Sequence, residues 1–136
     1  MKTPGTSVPP TVSIGVPVYN GENFVGEALR SIREQTFDDY EVVISDNAST
    51  DRTEAILKEL GAIEIGSNKG ARHPFPITVP GTFIYLNTPP TPEGWTGKNF
   101  ALHLGVQHAA GDWLLFTDAD TRHEPGSVDA SLSFAE

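Results

Sequence analysis

Asp118 and Asp120 stand one residue apart, directly after an apolar run at 113–116. Two carboxylates this close repel each other and resist burial, so the pair calls for a positive partner. Their spacing lets both side chains approach one ion, directly or through water. Hard oxygen donors of this kind suit Mg2+ or Mn2+. Mg2+ keeps several waters and takes one or two carboxylates together with substrate phosphates, so a phosphorylated ligand is the natural companion. A D-x-D alone also describes a solvated turn, because Asp favours loops. The apolar run that delivers it looks like a buried strand, and that is what favours the functional reading. His123, three residues beyond Asp120, is a further candidate metal ligand.

Asp46 is a third acidic candidate, at the end of a second apolar run at 40–45. It sits too early to cap the helix that opens after Asp51, and a carboxylate there could accept an N–H from a heterocyclic base. Asp51 itself reads as an N-cap, with Glu54 completing a capping box. Lys98 opens a helical stretch, where the dipole disfavours a cation and a phosphate partner would offset the mismatch. His73, His103 and His108 read as surface or supporting residues.

These groups must be positioned by the surrounding elements. Residues 11–18 form a β-branched run suited to a buried strand. Residues 22–34 carry Phe24, Val25, Ala28, Leu29 and Ile32 on one helical stripe. Residues 40–45 are a second strand, and a helix follows Asp51 and stops at Gly61. Residues 62–66 are a short strand and 82–87 another. A helix over 98–110 precedes the strand at 113–117. A last helix has Pro125 at its first position, with Val128, Leu132 and Phe134 behind it. Alternation of this kind predicts an α/β fold, a mainly parallel sheet with helices on both faces. Ligands gather at the carboxyl ends of such strands, so Asp46, Asp118 and Asp120 are expected to converge on one rim.

Composition narrows the partners. Nine basic residues against 18 acidic ones leave a net charge of −9. That argues against nucleic acid, whose phosphates need a basic footprint. A small phosphorylated ligand bridged by a divalent cation remains compatible. No cysteine is present among the 136 residues, so disulfides and thiolate metal sites are excluded. No apolar run approaches the roughly 18 residues of a transmembrane span. Residues 1–10 hold three prolines and one glycine and read as a flexible tail.

Three motifs add a family resemblance. The chain has P-V-Y-N after the first strand, S-I-x-x-Q-T-F closing the first helix, and S-D-N-A-S-T-D-x-T after the second strand. In combination, over residues 11 to about 60, these resemble the opening of family 2 glycosyltransferases of the GT-A fold. The pattern G-W-x-G-K-x-x-A-L, beginning at Gly94, resembles the same superfamily. The resemblance implies a Rossmann-like GT-A sheet and a nucleotide-diphosphate sugar donor, a UDP-sugar by the residue pattern. Pro17 and Tyr19 would flank the base, with Tyr19 stacking on it. Asp46 would read the base as uracil. Lys98 would reach ribose or diphosphate, and Asp118 and Asp120 would hold ribose and Mn2+ or Mg2+. The implied chemistry is inverting transfer to an acceptor hydroxyl, in the cytoplasm or, in a full-length relative, at the cytoplasmic membrane face.

Two features depart from that family. Asn68-Lys69-Gly70-Ala71-Arg72 resembles the family's lead into its third helix, yet a second lead-in follows at residues 94–98. Residues 68–97 are therefore expected to be an irregular insertion or a junction between two relatives. The chain also ends 16 residues after Asp120, before the family's acceptor site and catalytic base. Glu124 and Glu136 are nearby but match no motif. The expectation is the nucleotide-sugar-binding part, 11–136, truncated after the D-x-D strand and the following helix. It would leave sheet surface uncovered and free to self-associate. The rival reading is a non-catalytic, truncated or engineered nucleotide- or metal-binding scaffold. A haloacid-dehalogenase-like phosphatase fits less well: its motif wants Thr where Arg122 stands.

Overall fold

A computed structural model describes residues 9–66 and 81–135. Most of the expected tail at 1–10, His73, Glu136 and the Asn68–Arg72 half of the repeated lead-in lie outside the described residues. The elements run β1 (Val12–Val18), α1 (Val25–Arg33), β2 (Tyr40–Asp46), α2 (Thr53–Glu59), β3 (Ile63–Glu64), β4 (Thr82–Asn87), α3 (Gly97–Gln107), β5 (Trp113–Phe116) and α4 (Ser127–Ala135). All strands are parallel, in the order β3-β4-β2-β1-β5. The strand at 82–87, inside the stretch expected to be irregular, is buried between β2 and β3.

Period-two alternation sorts the strand side chains onto two faces. Val12, Ile14 and Val16 of β1, Tyr40, Val42 and Ile44 of β2, and Phe83 and Tyr85 of β4 share one core with Val25, Leu29 and Ile32 of α1, Leu57 of α2 and Val128 of α4. Val43, Ile84 and Leu86 point the other way and meet Phe100 and Leu104 of α3. Helices thus cover both faces, and among the described residues α3 alone serves the second. No helix among the described residues is long and apolar enough to cross a membrane.

Four local expectations are corrected. The run at 113–116 is not a buried strand: Trp113, Leu114 and Phe116 are 41–49% exposed. β5 is the outermost strand, pairs only with β1, and has no neighbour on its other edge among the described residues. Phe134 faces solvent at 94% exposure, although Val128 on the same helix is buried. Glu54 does not turn back on its own helix; its Oε2 accepts from Tyr85 and Asn87 of β4, at 3.2 and 3.0 Å. His108 is buried rather than on the surface, just past the end of α3.

Candidate functional site

The chain order creates a crevice before any side chain is considered. From β1 the chain moves to β2 and onward to that side of the sheet, and α3 then returns it to β5 on the opposite flank of β1. The carboxyl ends of β1 and β5 therefore flank a topological switch point, where open α/β sheets bind ligands. A cleft of about 180 Å³ lies there, lined by Pro17, Val18, Tyr19, Asn47, Lys98, Ala101 and Asp118. An adjoining recess of about 290 Å³ adds Leu102, Phe116 and Thr117. Four residues chosen from sequence, Pro17, Tyr19, Lys98 and Asp118, thus share one cleft.

The loops after β1 and β2 are tied to each other through backbone amides. Asn20 adopts φ 47°, a left-handed conformation that Asn tolerates. Its N–H donates to Ser49 Oγ at 2.8 Å, and its Oδ1 accepts from the Thr50 N–H at 2.8 Å. The Gly21 N–H reaches Thr53 Oγ1 at 2.8 Å. The Glu22 N–H donates to Asp51, and Glu22 accepts the Arg52 N–H in return. Asp51 also accepts the Thr53 N–H at 2.9 Å, but the helix starts at Thr53 with Arg52 in the cap position, so Asp51 stands one residue before the cap it was expected to be. The polar motif residues of both loops therefore satisfy backbone donors that would otherwise be orphaned near helix starts. They leave the Tyr19 ring 61% exposed at the cleft.

Asp46 ends β2 at 1% exposure, and its Oδ1 accepts the Ser49 N–H at 3.1 Å. Burial pushes its carboxyl above the usual value; the Ser49 hydrogen bonds oppose that, and the Glu54 and Asp51 carboxylates add to it. Asn47 takes the place on the cleft wall instead. Its Oδ1 accepts from the buried Thr88 hydroxyl at 2.9 Å. Its Nδ2 lies so close to Gly97 that a Cβ there would meet it at 2.3 Å. Sequence reading passed over Asn47, Thr88 and Gly97. The position of Asn47 directly after Asp46 was a usable signal, whereas the Thr88 and Gly97 contacts cross long sequence separations.

Beyond β5, Ala119 points into the core, and both flanking aspartates face outward. Lys98 Nζ lies 2.7 Å from Asp118 Oδ1, so the first turn of α3 supplies the positive partner that the D-x-D requires. Both side chains are more than half exposed, and such a pair contributes little stability. Asp120 is exposed and lines neither recess. His123 is half-buried: its N–H donates to Ser31 Oγ at 2.9 Å, and its Nε2 bonds the Thr117 hydroxyl at 2.8 Å. Burial lowers its pKa, so the ring is neutral at pH 7.

The expected convergence of three rim carboxylates does not occur, because Asp46 is covered by its own loop. Among the described residues no three His, Asp or Glu side chains are grouped to hold a metal ion. Asp118 and Asp120 still fit a divalent cation of the kind that takes one or two carboxylates and completes its shell with water and phosphate oxygens.

Comparison with known proteins adds the following. Residues 13–73 and 90–136 match the model of "Glycosyl transferase family 2". The 4,4'-diaponeurosporenoate glycosyltransferase of Staphylococcus haemolyticus is 30% identical over 110 residues, covering 81% of this chain and 24% of that protein. The crystal structure of S. aureus TarS 1-349 superposes with a TM-score of 0.66 at 25% identity, over 91% of this chain and 32% of that one. Its UDP complex gives a TM-score of 0.63. The mannosyltransferase PcManGT from Pyrobaculum calidifontis, solved with GDP-Man and Mn2+, gives 0.59 at 28% identity, over 83% of this chain and 28% of that one. This chain thus spans no more than about a third of the length of each of these three proteins.

Proposed function

The chain belongs to glycosyltransferase family 2, and on that premise we propose that its cleft binds the nucleoside diphosphate end of a nucleotide-sugar donor, a UDP-sugar, with a divalent cation. The observation that carries this reading is the Lys98–Asp118 pair, 2.7 Å apart, at the switch point beside the exposed Tyr19 ring. A cation, an anion and a flat apolar ring are what a diphosphate, a metal or ribose, and a base each need. The UDP and GDP-Man complexes of the two structural relatives support the same assignment.

Each residue then has a task. Tyr19 stacks on the base, and Pro17 forms the wall beside it. Lys98, at the positively polarised start of α3, attracts the diphosphate. Asp118 takes a ribose hydroxyl or the cation, and Asp120 takes the cation. His123 can join them only by releasing Thr117. Asp46 shapes the floor of the base site from beneath. When bound, Mn2+ or Mg2+ supplies Lewis-acid stabilisation of charge on the departing diphosphate. The transfer itself is inverting displacement by an acceptor hydroxyl. Residues 11–136 serve the donor side of that reaction, and no catalytic base is assigned to them.

Titration calorimetry with UDP, with and without Mn2+, tests the proposal. Cation-dependent binding is expected, and UDP at 100 times its dissociation constant should stabilise the fold by about 2.7 kcal/mol. No binding of any nucleoside diphosphate would favour a chain that folds without serving a donor.

A further inference from the structure

We propose that Gln35, with Ser31 one turn before it, positions the Asp118–Asp120 loop for its cation, acting through the chain that follows. This rests on the donor-site reading above and deepens it. Neither residue lines the cleft or its adjoining recess. Among the described residues β5 pairs with β1 alone, so the strand restrains the acidic pair from one side only. The remaining restraint has to come from beyond Asp120.

That restraint is α1 and the turn that ends it. Glu27, Ser31 and Gln35 are spaced by four and form one row. Residues 122–125 run beside this row in the same direction. Arg122 Nη1 meets Glu27 Oε1 at 3.3 Å, an exposed pair of little weight. The His123 N–H donates to Ser31 Oγ at 2.9 Å. Gln35 Nε2 donates to the Glu124 carbonyl at 2.7 Å, and the Thr36 N–H donates to the Pro125 carbonyl at 2.9 Å. Gln35 Oε1 accepts the Val128 N–H at 2.9 Å, in the first turn of α4. One side-chain amide thereby satisfies a backbone acceptor and a backbone donor that no helix or strand provides for. Gln35 and Ser31 are both buried, so water offers no replacement partner. Asp120 thus stands between two anchored points, Ala119 in the core that holds Val25 and Leu29, and His123 on Ser31. Ser31 and Gln35 are the Ser and Gln of the S-I-x-x-Q-T-F motif, to which the donor cleft gives no task.

Titration calorimetry of UDP into the whole chain, with and without Mn2+, gives the factor by which the cation tightens binding. Gln35→Leu keeps the volume and removes both hydrogen bonds. It should cut that factor about tenfold, the order lost when a group that orients a metal ligand is removed. Ser31→Ala should cut it about threefold, and Ser31→Thr, which keeps the hydroxyl, should restore it. Cation-free UDP affinity should stay unchanged in all three, because other elements hold Pro17 and Tyr19. Amide exchange through 119–124 should quicken in Gln35→Leu while that of β2 does not. Ile32→Val trims the neighbouring core without touching these hydrogen bonds and controls for a general loss of stability. A Gln35→Leu protein with the parent's cation factor overturns the proposal, as does an Ile32→Val protein that loses the factor equally. If Gln35→Leu does not fold, Ser31→Ala decides, since it removes one hydroxyl and adds no bulk. A parent that binds no UDP, or binds it equally with and without Mn2+, sinks the donor-site reading and this one with it. A parent that shows the cation effect, alongside variants that keep it, removes only the role of Gln35 and Ser31.

Discussion

Replacing Gly97 with Ala should weaken nucleotide binding by about as much free energy as it takes from the fold. The added Cβ would sit 2.3 Å from Asn47 Nδ2 and 3.5 Å from its Cγ, with Thr91 Oγ1 next at 3.8 Å. No backbone atom is among these neighbours, so the amide can swing aside by about 1 Å and the helix need not move. Ala is favoured over Gly in a helix by up to about 1 kcal/mol, and by less at this first position. Against that stands the Thr88–Asn47 hydrogen bond, whose loss leaves a buried hydroxyl unsatisfied at a cost of about 1–3 kcal/mol. The net destabilisation is roughly 1 kcal/mol, a few degrees in melting temperature for a domain of this size. UDP affinity should fall about fivefold to tenfold, because the displaced amide disturbs the cleft wall that Asn47 forms beside Tyr19. Differential scanning fluorimetry and titration calorimetry on the same preparation read both quantities. A large loss of melting temperature with unchanged UDP affinity would refute the reasoning, because it would place the clash in the scaffold and Asn47 outside the site.

Asp120→Ala should leave the apo melting temperature within about a degree, since the side chain is exposed, and should abolish the effect of Mn2+ on UDP titrations. Asp46→Asn should stabilise the protein at pH 7. The raised carboxyl pKa means that the folded state resists ionisation, a penalty fully present above the folded pKa and absent below the ordinary value of 3.8. The advantage of the Asn variant in pH-dependent melting should therefore vanish as the pH falls through that window. Leu114→Lys places a charge on the exposed edge strand. It should lower any concentration-dependent mass seen by light scattering and leave the melting temperature nearly unchanged.

The sequence carried the sheet well where apolar runs are bounded by turn residues. β2 and β4 read as strands because both are buried on both faces and so are apolar almost throughout, and the loop motifs located the carboxyl ends of β1 and β2. It carried less of what depends on neighbours. An apolar run such as 113–116 looks the same in the middle of a sheet and at its margin; only strand order separates the two. Asp46 ends a strand in either reading, and its burial comes from the loop that folds back to Ser49. The Thr88–Asn47 contact joins residues 41 apart, with no periodicity to announce it. Phe134 stands six residues from Val128, about 240° around the helix, and so falls off the buried stripe that Leu132 continues.

The marginal position of β5 bears on how steadily the outer acidic loop is held. Among the described residues its four residues pair with β1 alone, with Phe116 laid over the bare Cα of Gly15. A strand supported along one side opens locally at lower cost than the strands inward of it. Amide exchange should therefore run faster through 113–118 than through β2. A second strand added along that free side would stiffen Asp118 and Asp120 without touching them, so donor affinity would respond to whatever docks there.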